Sequence, residues 1–187
     1  MRHCDKGLQK LDGKSLVAHI IGRVAPQVST LAINANRHLS QYARFGYAVY
    51  PDGSFSDPES EHSYAGPLAG LEVGLMNCKT PYLLIVPCDS PFLPLNLAER
   101  LFAGLQEHEA DIAIACTGEN THPRAQPVFC LLKSNLLTQL QHYLACGGRK
   151  MDGWYGQLTV ARVYFQDETE FLNINTLEEL QACSTVK

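Results

Sequence analysis

Residues 82–86, Tyr-Leu-Leu-Ile-Val, form an uninterrupted apolar run that stops at Pro87-Cys88-Asp89-Ser90-Pro91. A short apolar run bounded by turn residues reads as a buried strand of the parallel kind, covered on both faces. The two prolines hold the following backbone extended and delay any helix. Ligands of open α/β sheets sit just past the carboxyl ends of such strands. Asp89 therefore stands where chemistry is expected. Taken alone, an Asp in that setting is often just a turn or capping residue, and the rest of the chain has to decide.

The rest of the chain alternates. Ser15 is placed to cap a helix with Leu16, Ile20 and Val24 on one face, limited by Pro26. Residues 31–33 read as a strand ending at Asn34-Ala35-Asn36-Arg37-His38, with a short polar helix over 39–44 and a strand over 47–49. Residues 52–63, rich in Asp, Ser, Glu, Gly and Pro, read as an exposed mobile loop. Gly66-Pro67 opens a helix with Leu68, Leu71 and Leu75 at helical spacing. After the 82–86 strand the pattern gives a helix over 95–107, a strand over 111–116, a loop over 118–123 and a strand over 128–132. Ser134 then caps a helix through Leu144, closed by Cys146-Gly147-Gly148. A short helix or turn over 149–155, a strand over 158–165 and a last helix with Thr176 and Glu179 as capping box complete it. Strands and helices in alternation imply a mostly parallel sheet with helices on both faces.

The 187 residues suit one domain. A net charge of −4 argues against non-specific nucleic-acid binding as the main task. Seven cysteines are scattered without a CxxC pair, so neither a zinc site nor a disulfide framework is expected, and a reducing cytoplasm is. No signal peptide and no apolar run long enough to cross a bilayer is read in the sequence.

Several short segments carry possible chemistry. Lys6 follows Asp5 ahead of the Asp12-Gly13 turn, and a loop Lys supplies a mobile ammonium for phosphate oxygens or simply a solvated charge. Asn34 ends a strand and offers both donor and acceptor, to a base edge or to a turn. Gly66-Pro67-Leu68-Ala69-Gly70 sets a helix N-terminus against open space, where backbone N–H groups can hold an anion and the glycines allow close approach. Asn173 and Asn175 again place amides at a strand end.

In this order and spacing, the segments DKGLQKLDGKSL, AINANRH, YPD, GPLAG, VPCDSPFLP, HPRAQPVF and FLNINTLEEL resemble the bacterial molybdenum cofactor guanylyltransferases over essentially the whole chain. The resemblance implies an α/β, three-layer Rossmann-like nucleotidyltransferase fold (nucleotide-diphospho-sugar transferase-like) with a mostly parallel central sheet, as one domain over 1–187. It implies transfer of GMP from GTP to molybdenum-molybdopterin, with release of pyrophosphate and with Mg2+ as cofactor. Lys6 matches the family's phosphate-binding Lys, Asn34 its Asn at the GTP site and Asp52 its Asp near the guanine nucleotide. Asp89 matches the magnesium-binding Asp, and Gly66 and Gly70 match glycines beside the nucleotide. Lys6 and Asp89 are the implied catalytic residues. Asn173 and Asn175 match a late Asn pair lining the pocket, while His122, Arg149 and Lys150 match segments on the pterin side. Implied partners are GTP, molybdenum-molybdopterin, molybdopterin-loading proteins and molybdoenzyme chaperones, with no nucleic acid or membrane, for a cytoplasmic monomer.

The family also opens with a buried first strand and a glycine-rich loop of the type LAGG, which these residues lack. Relative to the family the domain reads as N-terminally truncated, and as given it is expected to turn over poorly until such a segment is restored. Other readings left open are a cytidylyltransferase, another small-molecule nucleotidyltransferase, or a non-catalytic pterin- or partner-binding protein.

Overall fold

The computed structural model describes residues 5–52, 66–118, 123–174 and 179. In chain order it contains β1 (Lys10–Leu11), β2 (Lys14–Ser15), α1 (Leu16–Val24), β3 (Ala32–Asn34), α2 (Leu39–Ala43) and β4 (Ala48–Tyr50). Then come α3 (Pro67–Asn77), β5 (Tyr82–Ile85), α4 (Leu97–Glu107), β6 (Ile112–Thr117) and β7 (Arg124–Lys133). α5 (Leu137–Ala145), α6 (Met151–Tyr155) and β8 (Val160–Tyr164) follow.

Every residue of β6 is buried. The strand is flanked by antiparallel β7 and parallel β8, and β5 joins the far edge of β7 to give the order β5-β7-β6-β8. Its two faces serve two layers. Ile112, Ile114 and Cys116 pack with Leu68, Leu71 and Leu75 of α3, Leu140 and Leu144 of α5 and Trp154 of α6. Ala113 and Ala115 pack with Ile20 and Val24 of α1 and Leu97, Leu101 and Leu105 of α4. β7 alternates the same way, Cys130 and Leu132 to the first layer, Phe129 and Leu131 to the second. This period of two is what a pleated strand enclosed between helices requires.

Local chemistry sets the element ends. The Asp12-Gly13 turn joining β1 to β2 has φ of 50° and 80°, the left-handed pair that a two-residue hairpin of type I′ demands. The Ser15 hydroxyl accepts from the Ala18 amide and starts α1 as expected. Pro127 cannot donate to a ladder, and the β6–β7 register slips there: Ile114 faces Cys130, but Ala115 faces Gln126. The bulge lets pairing resume beyond the proline, so β7 is longer than the 128–132 strand read from sequence.

Three readings are corrected. The 82–86 run is a strand over Tyr82–Ile85, but its residues are only half-buried and, among the described residues, its one strand partner, β7, is antiparallel. Ser134 begins a single 3-10 turn (Ser134–Leu136), so α5 starts later, after Leu136, without a side-chain cap. The helix over 95–107 begins at Leu97, whose amide donates to the Pro94 carbonyl. Thr176 of the expected capping box lies outside the described residues, as do residues 53–65, which hold most of the expected mobile loop.

β3 and β4 form a parallel pair of their own. Among the described residues no strand links β3 to β5, and a cavity of about 1470 Å³ lies between them. No helix of the described residues is long and apolar enough to cross a membrane.

Asp111 clamps the start of the central strands. Its carboxylate accepts from the Thr159 amide at 3.0 Å and from Lys133 Nζ at 3.3 Å. The Thr159 hydrogen bond, with Lys133 beside it, holds the carboxyl below its ordinary value. Asp111→Ala is expected to cost about 1–2 kcal/mol in urea unfolding at neutral pH. A depressed native pKa stabilises above the unfolded value and loses that effect as pH falls through the native one. The gap between wild type and variant should therefore close on acidification below the ordinary carboxylate range, which paired unfolding curves at several pH values measure.

Candidate active site

The carboxyl ends of β3 and β5 meet at one mouth of the cavity. Lys6, on the 3-10 turn Lys6–Leu8, points its ammonium at Asp89, Nζ to Oδ2 3.3 Å. The turn is pinned from below. Gly7 is buried between Tyr42 and Cys88, and a Cβ there would come within 2.6 Å of the Tyr42 hydroxyl. That hydroxyl donates to Asp5 Oδ1 at 2.5 Å. Burial and then the Asp5 hydrogen bond push the Tyr42 phenol up, so it stays protonated and remains the donor. Desolvation, with Asp89 and Asp5 adding negative charge, pushes the Cys88 thiol up to about 11. At neutral pH the residue beside Asp89 is therefore an uncharged thiol.

Asp89 is tied to the end of the chain by its own backbone. Its carbonyl accepts from the Ile174 amide at 2.8 Å. The hydroxyl of Ser90, fully buried, donates to Asn173 Oδ1 at 2.5 Å. Asn173 is thereby held next to Asp89.

Across the mouth, the Asn34 amide donates to the Tyr50 carbonyl at 3.0 Å and to Asp52 Oδ1 at 2.9 Å. The Asn36 amide donates to Asp52 Oδ2 at 2.6 Å, and its Oδ1 accepts from the Asp52 amide at 2.7 Å. Two asparagines two residues apart thus hold both carboxylate oxygens at the end of β4. An ionised carboxylate has about four lone-pair sites, so acceptor capacity remains.

The remaining wall is the start of α3. Gly66 precedes it at φ 55°, ψ −142°, a backbone state only glycine enters easily, and Pro67 fills the first turn. A Cβ on Gly70 would come 2.6 Å from Asn34 Oδ1, so glycine there lets the Asn lie against the helix.

Lys6, Asn34, Asp52, Gly66, Gly70 and Asp89 all line the one cavity. Arg149 and Lys150 do not. Arg149 donates to the carbonyls of Leu144, at 2.8 Å, and Gly148, at 2.6 Å, closing the end of α5, and the Lys150 carbonyl accepts from Tyr143. His122 and Asn175 lie outside the described residues. Sequence reasoning gave no role to Asn36, Tyr42, Asp5 or Ser90. Asn36 carried a usable signal, since its spacing from Asn34 resembles a strand's alternation run past its end. The others are tertiary contacts without a local pattern.

The sequence profile of the MobA-like NTP transferase domain matches residues 1–160. The chain is 48% identical over 177 residues to a molybdenum cofactor guanylyltransferase of Bordetella petrii, covering 95% of this chain and 87% of that protein. It is 44% identical over 182 residues to one of Cupriavidus necator, covering 97% and 88%. Among solved structures, molybdopterin-guanine dinucleotide biosynthesis protein A from Archaeoglobus fulgidus superposes with a TM-score of 0.74 at 19% identity, covering 99% of this chain and 91% of that one. A 2-C-methyl-D-erythritol 4-phosphate cytidylyltransferase from Thermus thermophilus gives 0.73 at 12%, covering 97% and 93%. At these identities the two structures establish the nucleotide-diphospho-sugar transferase-like fold.

The Ser90–Asn173 contact predicts a measurable local effect. Ser90→Ala should lower stability by about 1 kcal/mol and speed hydrogen exchange of the Ile174 amide by about tenfold. Exchange at Ile174 unchanged from wild type would show that the contact does not hold this segment to Asp89.

Proposed function

This chain belongs to the MobA-like NTP transferase family, and on that footing we propose that it transfers GMP from GTP to molybdenum-molybdopterin, releasing pyrophosphate. The observation that carries the reading is the convergence of Lys6, Asn34, Asp52, Gly66, Gly70 and Asp89 on one cavity mouth.

In the proposed reaction the terminal phosphate of molybdopterin attacks the α-phosphorus of GTP. One P–O bond forms, the bond to the β-phosphate breaks, and the electron pair leaves on pyrophosphate. The nucleophile is already ionised near neutral pH, so no general base is required. What the protein must supply is positive charge and in-line positioning. Lys6 supplies an ammonium to phosphate oxygens. Backbone N–H groups at the start of α3 supply further donors. Both Asp52 carboxylate oxygens act as acceptors, which favours a base edge that donates from adjacent positions; the guanine N1–H and exocyclic amine form such an edge.

The donor set fits Mg2+. Among the described residues no three His, Cys, Asp or Glu side chains cluster to enclose a metal. One carboxylate facing a phosphate site is how magnesium is commonly held, with phosphate oxygens and water completing its shell. Asp89 would hold the ion. Bound there, it would neutralise charge on the phosphates. The five described cysteines are all free thiols.

Two substitutions test the reading. Asp89→Asn should keep the melting midpoint within a few degrees, remove the magnesium dependence of GTP binding in calorimetry and abolish GMP transfer. Magnesium-dependent binding that survives the change would sink the assignment. Gly70→Ala should leave stability unchanged or slightly lowered, since the gain of about 1 kcal/mol from Ala over Gly in a helix interior is offset when Asn34 is pushed off its hydrogen bonds to Tyr50 and Asp52. Its Cβ displaces Asn34, so GTP affinity should fall by about tenfold or more while any CTP affinity changes less. Wild-type chain that binds CTP as tightly as GTP would move the protein to cytidylyl transfer.

A further inference from the structure

Asn36 stands behind Asp52. The described residues that line the cavity include Asn34 and Asp52 but not Asn36, which is exposed on the segment between β3 and α2. The β3–β4 pairing delivers it there. The Ala35 amide donates to the Tyr50 carbonyl at 3.0 Å, so the two segments still run together one residue past β3. Asn36 then meets Asp52, two residues past Tyr50.

The Asn36 carboxamide makes two hydrogen bonds to that one residue. Its Oδ1 accepts from the Asp52 amide at 2.7 Å, and its Nδ2 donates to Asp52 Oδ2 at 2.6 Å. The first bond holds the Asp52 backbone and the second the tip of its side chain, so together they fix the torsions between. Asn34 Nδ2 holds the other oxygen, Oδ1, at 2.9 Å, and is itself tied to the Tyr50 carbonyl at 3.0 Å. Shaping the loop needs only the first of the two Asn36 bonds, which any short side-chain oxygen can accept.

The second bond bears on recognition. The last torsion of an Asp side chain is broad and roughly two-fold, so a carboxylate held at one oxygen turns easily. Bidentate acceptance from two neighbouring N–H donors requires the carboxylate plane to match the plane of the donors. The guanine N1–H and exocyclic amine are two such donors. With one asparagine on each oxygen, the remaining acceptor positions of Asp52 stay in one plane at the cavity wall.

We propose that Asn36 is a positioning residue for base selection. By holding Asp52 Oδ2 it lets the site tell a purine whose edge donates twice from one whose edge donates once. The inference rests on the guanylyl-transfer reading and adds to it a residue that touches no nucleotide.

The test compares GTP with inosine triphosphate, which keeps the triphosphate, the ribose and N1–H but lacks the exocyclic amine. Binding of each to the full chain is measured by calorimetry in the presence of magnesium. Wild type should bind GTP about tenfold more tightly than inosine triphosphate, or better. Asn36→Ala should reduce that ratio to about threefold or less, chiefly through weaker GTP binding. Asn36→Asp keeps an oxygen for the Asp52 amide but has no N–H for Oδ2, and it should lose the discrimination too. Asn36 is exposed, so both variants should melt within a few degrees of wild type. General damage to the mouth would weaken both nucleotides alike and leave the ratio unchanged. The proposal is overturned if either variant keeps the wild-type ratio; if Asn36→Asp alone keeps it, the residue serves only the loop. Wild type that binds GTP no more tightly than inosine triphosphate overturns the guanine reading at Asp52 and this proposal with it, so the two failures are told apart by the wild-type ratio.

Discussion

The burial of β6 on both faces and both edges is the constraint from which the architecture follows. A strand so enclosed can carry no charge and must pair every backbone group with a neighbour. Its alternating side chains divide the molecule into an α3–α5–α6 layer and an α1–α4 layer. Asp111 sits at its start, where backbone and carboxylate together engage both flanking segments. Helix placement, strand order and the position of the strand ends all derive from satisfying this one element.

Past the carboxyl ends of β3–β4 and of β5 the same demand gathers polar side chains. Strands stop, and their last side chains must find partners outside the ladder. Asp52 takes amides from Asn34 and Asn36; Asp89 takes the Lys6 ammonium on its side chain and the Ile174 amide on its carbonyl. Tyr42 and Asp5 fasten the Lys6 turn beneath them. Each of these side chains is thus held by a neighbour from another part of the chain, which keeps charged and polar groups oriented toward one mouth.

Much of this was legible in the residue pattern. Asp89 after an apolar run, Gly66-Pro67 before a helix and Asn34 at a strand end each carry local chemistry, and together they converge on one cavity. The direction of β7 was not legible, because an apolar strand enclosed between helices has the same composition whichever way it runs. The half-exposure of β5 was hidden for the same reason: composition reports the environment a strand suits, not whether a neighbour is in place. Arg149 illustrates a third limit. A basic residue just past a helix serves a ligand or the helix's own last carbonyls, and only the fold shows that it closes α5.

The slip in β7 at Pro127 separates the ladder into two registers. On one side, Cys130 through Leu132 are locked into both core layers; on the other, Arg124 through Gln126 pair with Thr117 through Ala115 of β6. Because the break absorbs a change in spacing, residues ahead of it can be altered in number or identity while the pairing behind it keeps its alignment. One strand thus carries two independent alignments, and a change of length on the Arg124–Gln126 side need not be transmitted to the side that packs both core layers.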